Sequence, residues 1–186
     1  MLPLKKKKII LGVTGSIAAY KAAEIASLLT KKNYQVITIL TANATKLISP
    51  QIFSTLTRNA VITDLFHPPA DFDPAHIAVA EGASLFLIAP ATANIIAKLA
   101  CGIADDALST TAISVTCPRL IAPAMHQVMY ENRVVQENIA KLKKLGYHFV
   151  GPVRGRLATG AVGIGRMSEP QDIVAACEKI LAKAYK

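Results

Sequence analysis

Short runs that are apolar at nearly every position, each followed by a segment with helical apolar spacing, constrain this chain more than any other feature of it. Such runs lie at 8–13, 34–40, 84–89, 119–122 and 147–150. A strand with one wet face alternates polar and apolar residues, whereas these runs need cover on both faces. Helical spacing at 17–29, 46–56, 91–99, 106–113 and 128–145 supplies that cover. The alternation predicts an α/β fold, a parallel sheet with helices on both faces. A chain of 186 residues suits one domain running 1–186. Ser168, Pro170 and Gln171 read as N-cap, first-turn proline and capping-box partner of a last helix reaching 182. Between the fifth strand and that helix, 151–167 holds five glycines and no periodicity. It is expected to be an irregular loop, a flexible lid over about 152–168 hinged at Gly160, Gly163 and Gly165.

Composition narrows the classes. The chain is 52% hydrophobic, yet no apolar run approaches the roughly 18–20 residues that cross a bilayer. The charged start has no apolar stretch with a cleavage site behind it, so a cytoplasmic protein without membrane attachment is expected. Cys101, Cys117 and Cys177 are three in number and lack CxxC spacing, which speaks against a disulfide framework and a metal site. Reduced, buried thiols are expected. The net charge of +9 lies partly in Lys5 to Lys8 and in Lys141, Lys143 and Lys144, read as solvated lysines, so no nucleic-acid partner is expected.

Ligands of open α/β sheets bind beyond the carboxyl ends of the strands. The first strand is followed by Gly12-Val13-Thr14-Gly15-Ser16-Ile17, where glycine admits close approach and a helix N-terminus offers N–H groups to an anion. The spacing is GxxG and not the dinucleotide GxGxxG. The second strand ends in Thr41-Ala42-Asn43, with no acid for a ribose diol and no arginine for a 2′-phosphate, which disfavours NAD and NADP. Ser16 and Thr41 suit a terminal monophosphate such as that of FMN. The third strand end, Ala89 to Asn94, places an amide that could meet a flavin ring edge, although Thr92 or Asn94 could equally be a helix cap. The fourth puts His126 past Ala122-Pro123-Ala124-Met125. For His126 and for His76, taken singly, an ordinary partly buried histidine is the default.

Together these segments resemble the flavin-containing cysteine decarboxylases, a family that includes phosphopantothenoylcysteine decarboxylases and lantibiotic peptide decarboxylases. The resemblance rests on GVTGSIAAY at 12–20, His76-Ile77, IAPATANIIAKLACGIADD at 88–106, APAMHQVM at 122–129 and GRLATGAVGIGRMSEP at 155–170. It implies a flavodoxin-like (Rossmann-like) domain that binds FMN and assembles as a homo-oligomer, a trimer or dodecamer of trimers, with the flavin between subunits. That assembly would also account for the apolar excess. The FMN phosphate would meet Gly15, Ser16 and Ile17 with Thr41 nearby, and the flavin would meet Thr92, Ala93, Asn94 and Ile95. His76 matches the active-site histidine of the family. The activity implied is FMN-dependent decarboxylation of 4′-phospho-N-pantothenoylcysteine to 4′-phosphopantetheine in coenzyme A synthesis.

Two positions depart from the family pattern. His126 stands where the family has the asparagine that holds the substrate carboxylate. Thr159 stands where a cysteine follows Leu157 and Ala158 in the substrate-covering segment, and a hydroxyl is a far weaker acid than a thiol. The departures leave three outcomes: complete decarboxylation with an altered lid, a reaction that stops at the enethiol, or a flavin-binding protein or non-catalytic subunit with another substrate.

Overall fold

The computed structural model describes residues 6–65, 79–156 and 159–184. Its centre is a six-stranded parallel sheet in the order β3-β2-β1-β4-β5-β6. The strands are β1 (Lys8–Val13), β2 (Gln35–Leu40), β3 (Val61–Ile62), β4 (Ala83–Ala91), β5 (Arg119–Pro123) and β6 (His148–Phe149). The helices are α1 (Ala19–Lys31), α2 (Pro50–Thr57), α3 (Ala93–Cys101), α4 (Ala107–Ser114), α5 (Gln127–Glu131), α6 (Arg133–Lys144) and α7 (Pro170–Ala184). Alternate residues of each central strand enter opposite cores. Ile9, Leu11 and Val13 pack with α1 and α7, while Ile10 packs with α3, α4 and α6. Removing one such side chain from water contributes roughly 1.5–3 kcal/mol, so the uninterrupted apolar strands are stable only inside these two layers.

The parallel doubly wound sheet is the fold expected, and several local features differ from expectation. A sixth strand, β3, has only two residues, too short to leave a periodic signal. The helix expected over 46–56 begins at Pro50, because the residue before a proline is driven out of helical geometry and Ser49 is extended, with its hydroxyl accepting the Gln51 N–H at 3.2 Å. The helix expected over 128–145 is two helices. Asn132 breaks it, its side-chain oxygen accepting the Val134 N–H at 2.9 Å.

The segment read as an irregular loop contains an antiparallel hairpin of β7 (Val153–Arg156) and β8 (Val162–Arg166). Two of its supposed hinge glycines have another purpose. Gly165, at φ +138°, lets β8 lie against the chain after β5; a Cβ there would collide with the Met125 carbonyl, and one at Gly163 with the Gln127 side chain. The Met125 N–H donates to the Gly165 carbonyl at 3.0 Å.

At the start of α7, Glu169 precedes the helix and its carbonyl accepts the Ile173 N–H, while Gln171 donates to Glu24 of α1 at 2.8 Å, in place of the Ser168–Gln171 capping box expected. Cys117 and Cys177 are buried as expected, and Cys101 at the end of α3 is exposed. Burial pushes the Cys177 thiol up to about 12. No helix among the described residues is long and apolar enough to cross a membrane.

Candidate functional site: a cleft between the strand ends and the hairpin

The sheet order places β1 beside β4, and their following helices, α1 and α3, lie on opposite faces. That is a topological switch point, where a crevice opens outside the strand ends. Thr14 closes its floor. This buried hydroxyl donates to the Pro90 carbonyl at 2.8 Å and accepts the Thr92 N–H at 3.1 Å, joining the loops after β1 and β4. The spacing of GVTGS marked the loop, but nothing in it singled out Thr14, whose partners lie more than seventy residues away.

The loop expected to cradle a phosphate joins β1 to α1. The N-terminus of α1 has no side-chain cap and no acid in its first turn. The Ala19 and Lys21 N–H groups there are taken by the Ser16 and Ala18 carbonyls, and the helix dipole favours an anion at this end. The Ser16 oxygen accepts the Ala18 N–H at 3.3 Å, which leaves the hydroxyl proton to donate. Gly15 serves packing as well, since a Cβ there would sit 2.6 Å from the Cβ of Asn43. Thr41 begins that neighbouring loop: its N–H donates to the Val13 carbonyl at 3.1 Å and its hydroxyl accepts the Ala44 N–H at 3.3 Å.

Across the crevice, Thr92 is the N-cap of α3, its hydroxyl accepting the Ile95 N–H at 3.5 Å. Asn94 is exposed and Ala93 half-buried, whereas the Ile95 side chain is in the core. Ile95 can therefore meet a ligand only through its backbone.

A cleft of about 500 Å³ runs from this cradle to the hairpin, a size typical of small-molecule sites. It brings together Ser16 and Ile17 of the cradle, His126 past β5 and Thr159 at the hairpin turn. His126 is exposed and caps α5, its Nδ1 accepting the Val128 N–H at 3.3 Å. With Nδ1 accepting, the neutral ring carries its proton on Nε2, which can donate. Thr92, Ala93 and Asn94 lie across the switch point and do not line this cleft. His76, Leu157 and Ala158 lie outside the described residues.

Lys21, Arg156 and Arg166 also line the cleft and had no part in the sequence-based site. Their charges are scattered over the chain, and only folding gathers them. Burial lowers the Lys21 pKa from the usual lysine value, and the Arg166 charge adds to the shift while Tyr20 and Glu24 oppose it; the Lys21 ammonium pairs with Glu169 at 2.9 Å.

Fold and crevice define a doubly wound α/β protein with an uncapped helix N-terminus at its switch point. The comparisons with known proteins narrow this class. The model of the Flavoprotein family matches residues 2–182. The coenzyme A biosynthesis bifunctional protein CoaBC of Bacillus subtilis is 44% identical over 180 residues, 97% of this chain and 44% of that protein. This chain thus spans about half the length of such relatives. A probable phosphopantothenoylcysteine decarboxylase of Streptococcus mutans is 42% identical, over 94% of this chain and 99% of that one. Among solved structures, a PPC decarboxylase mutant complexed with pantothenoylaminoethenethiol superposes with a TM-score of 0.85 at 26% identity, covering 94% of this chain and 98% of that one. The FMN-dependent cysteine decarboxylase SpaF gives 0.82 at 31% identity, covering 97% and 98%. The chain belongs to the flavoprotein family, together with the flavin-dependent cysteine decarboxylases.

Proposed function

We propose that this chain is an FMN-dependent decarboxylase of 4′-phospho-N-pantothenoylcysteine, acting in the cytoplasm in coenzyme A synthesis. The observation that carries this reading is the cleft, which joins an uncapped α1 N-terminus to His126 and to the hairpin. The relatives' names supply the substrate. The residues present fit FMN: a cradle with no acid and no cap suits a monophosphate dianion, and small residues leave the crevice between β1 and β4 open. Gly15, Ser16 and Ile17, with Thr41 behind them, would hold the phosphate; Thr92, Ala93, Asn94 and the Ile95 backbone would border the ring.

The chemistry that FMN supplies when bound is two-electron oxidation of the substrate's cysteine thiol to a thioaldehyde, which loses CO2 readily. His76 would orient the thiol or take its proton. The Nε2–H of His126 would donate to the substrate carboxylate, as the family's asparagine amide does. Thr159, which lines the cleft, would stand in for the family's cysteine, but its hydroxyl cannot readily release a proton. That favours a second reading, in which the chain releases CO2 and stops at the enethiol.

Assembly as a homo-oligomer, a trimer or dodecamer of trimers, is supported by exposed apolar side chains. Ile17 and Tyr20, which line the cleft, are 67% and 65% exposed, and Val128 and Met129 of α5 are 71% and 48% exposed. Such large apolar side chains grouped on one surface mark an interaction site. Sedimentation of the FMN-loaded protein tests this, with a monomer as the contrary result.

The activity is tested with FMN-loaded protein under anaerobic conditions, following CO2 release and flavin absorbance on adding 4′-phospho-N-pantothenoylcysteine. CO2 with 4′-phosphopantetheine supports the first reading, and CO2 with bleached flavin and enethiol supports the second. No CO2 from a yellow protein overturns both.

A further inference from the structure

The hairpin carries two arginines into the cleft, Arg156 and Arg166, for which the decarboxylation chemistry has no use. Glu169 balances only part of the charge there. One of its carboxylate oxygens pairs with Lys21 at 2.9 Å and the other with the Arg166 guanidinium. Arg156 is exposed and pairs with no acid among the described residues. Three cations thus meet one carboxylate, beside a helix N-terminus that adds partial positive charge.

Arg166 is also held in place by the hairpin and α7, and it shares the cleft lining with Arg156. It pairs in register with Val153, yet its side chain runs along the hairpin over Gly155, where a Cβ would come within 3.0 Å of Nη1 and 3.1 Å of Cδ. The bare glycine lets the guanidinium lie flat next to the residue that precedes Arg156. Glu169 grips it from α7, so little side-chain freedom remains to be lost on binding.

We propose that Arg156 and Arg166 form a second phosphate-monoester subsite, which takes the remote phosphate of the substrate while His126 takes its carboxylate end. The inference rests on the decarboxylase reading for the identity of that phosphate ester. Guanidinium forks match phosphate oxygens bidentately and stay charged at any working pH. The chemistry is shared with the phosphate of FMN, for which the α1 N-terminus is the built site. Arg154, exposed on the same strand but outside the cleft, provides a control of equal charge.

The test compares 4′-phospho-N-pantothenoylcysteine with N-pantothenoylcysteine as substrates of the FMN-loaded enzyme. Without turnover, it compares 4′-phosphopantothenate with pantothenate by calorimetry, and FMN affinity is followed by flavin fluorescence. Arg156→Gln is expected to lower the preference in kcat/KM for the phosphorylated substrate about tenfold, through KM, since one hydrogen bond to a charged group is lost. The 4′-phosphopantothenate affinity falls by a similar factor, Arg156→Lys recovers part of it, and Arg154→Gln keeps the wild-type preference. Equal losses on both substrates, or weakened FMN binding with the preference intact, overturn the subsite. Should the wild type release no CO2 from either substrate yet bind 4′-phosphopantothenate through Arg156, the subsite stands and the decarboxylase reading falls. Equal KM values for the two substrates do the reverse.

Discussion

The two walls of the cleft are built by different means. The floor, at the ends of β1, β4 and β5, rests on strands buried on both faces and is cross-linked by Thr14, a hydroxyl shielded from water. The arm, β7 and β8, is mostly exposed and is held by a backbone hydrogen bond to Met125 and an ion pair to Glu169. The floor is fixed by the same core that stabilises the fold. The arm can be altered at little cost to the rest of the molecule. Its turn carries the Thr159 departure, and its strands carry Arg156 and Arg166 of the cleft lining. A rigid floor with a more loosely attached arm follows the pattern of loops on a rigid scaffold.

Mutations that separate the walls test this contrast. The largest effect is expected at Gly15, where Val would drive the loop away from Asn43 and fill the cradle. Overpacking of this kind costs about 1–3 kcal/mol, and the purified Gly15→Val protein should emerge colourless. Retained flavin absorbance would mean that the cradle lies elsewhere. On the arm, Gly165→Ala meets both the Met125 carbonyl and a φ of +138°. Strain of about 1–3 kcal/mol should undock β8, lowering kcat/KM about tenfold or more while flavin content stays at the wild-type level. Loss of flavin in that variant would show the two walls to be one unit.

Thr14→Val leaves the Thr92 N–H without its acceptor and the Pro90 carbonyl without its donor, a destabilisation of about 1–3 kcal/mol visible in urea denaturation. An unchanged midpoint would deny Thr14 its role.

The smallest effect concerns acid stability beneath the floor. Burial alone would raise the Asp106 carboxyl; ion pairing with Lys98 and hydrogen bonds from the Ser109 N–H and hydroxyl outweigh it and hold it below the usual carboxylate value. A depressed carboxylate contributes stability above its unfolded pKa and loses it as pH falls through the folded one. The wild type should therefore lose stability below about pH 4, and Asp106→Asn, less stable at pH 7, should show a flatter acid limb. Parallel limbs in the two proteins would contradict this origin.

Legibility in the sequence followed the range of the interactions. Uninterrupted apolar strands announced a two-faced sheet, and the glycine-rich run after β1 announced a tight turn into α1, because both signals sit in adjacent residues. The hairpin was not legible. Its strands are short, rich in glycine and arginine, and their order comes from contacts with Met125 and Gln127 and with each other. The close approach at Gly163 and Gly165 was hidden for the same reason: a glycine required for close approach looks, in sequence, like one suited to motion. A cap at Thr92 or Asn94 was legible, since capping is a local affair, and the structure selects Thr92.

By itself the sequence determined the fold class, the strand–cradle–helix unit and the motifs that place the chain among flavin-dependent decarboxylases. Tertiary structure alone decided that Thr14 joins two loops, that His126 caps α5 through Nδ1, and that Lys21, Arg156 and Arg166 share one cleft, two of them paired with Glu169. The reason is physical. Hydrophobic period and turn chemistry act over a few neighbouring residues, whereas charge clustering and buried hydrogen bonds depend on distances in space between residues tens to well over a hundred positions apart.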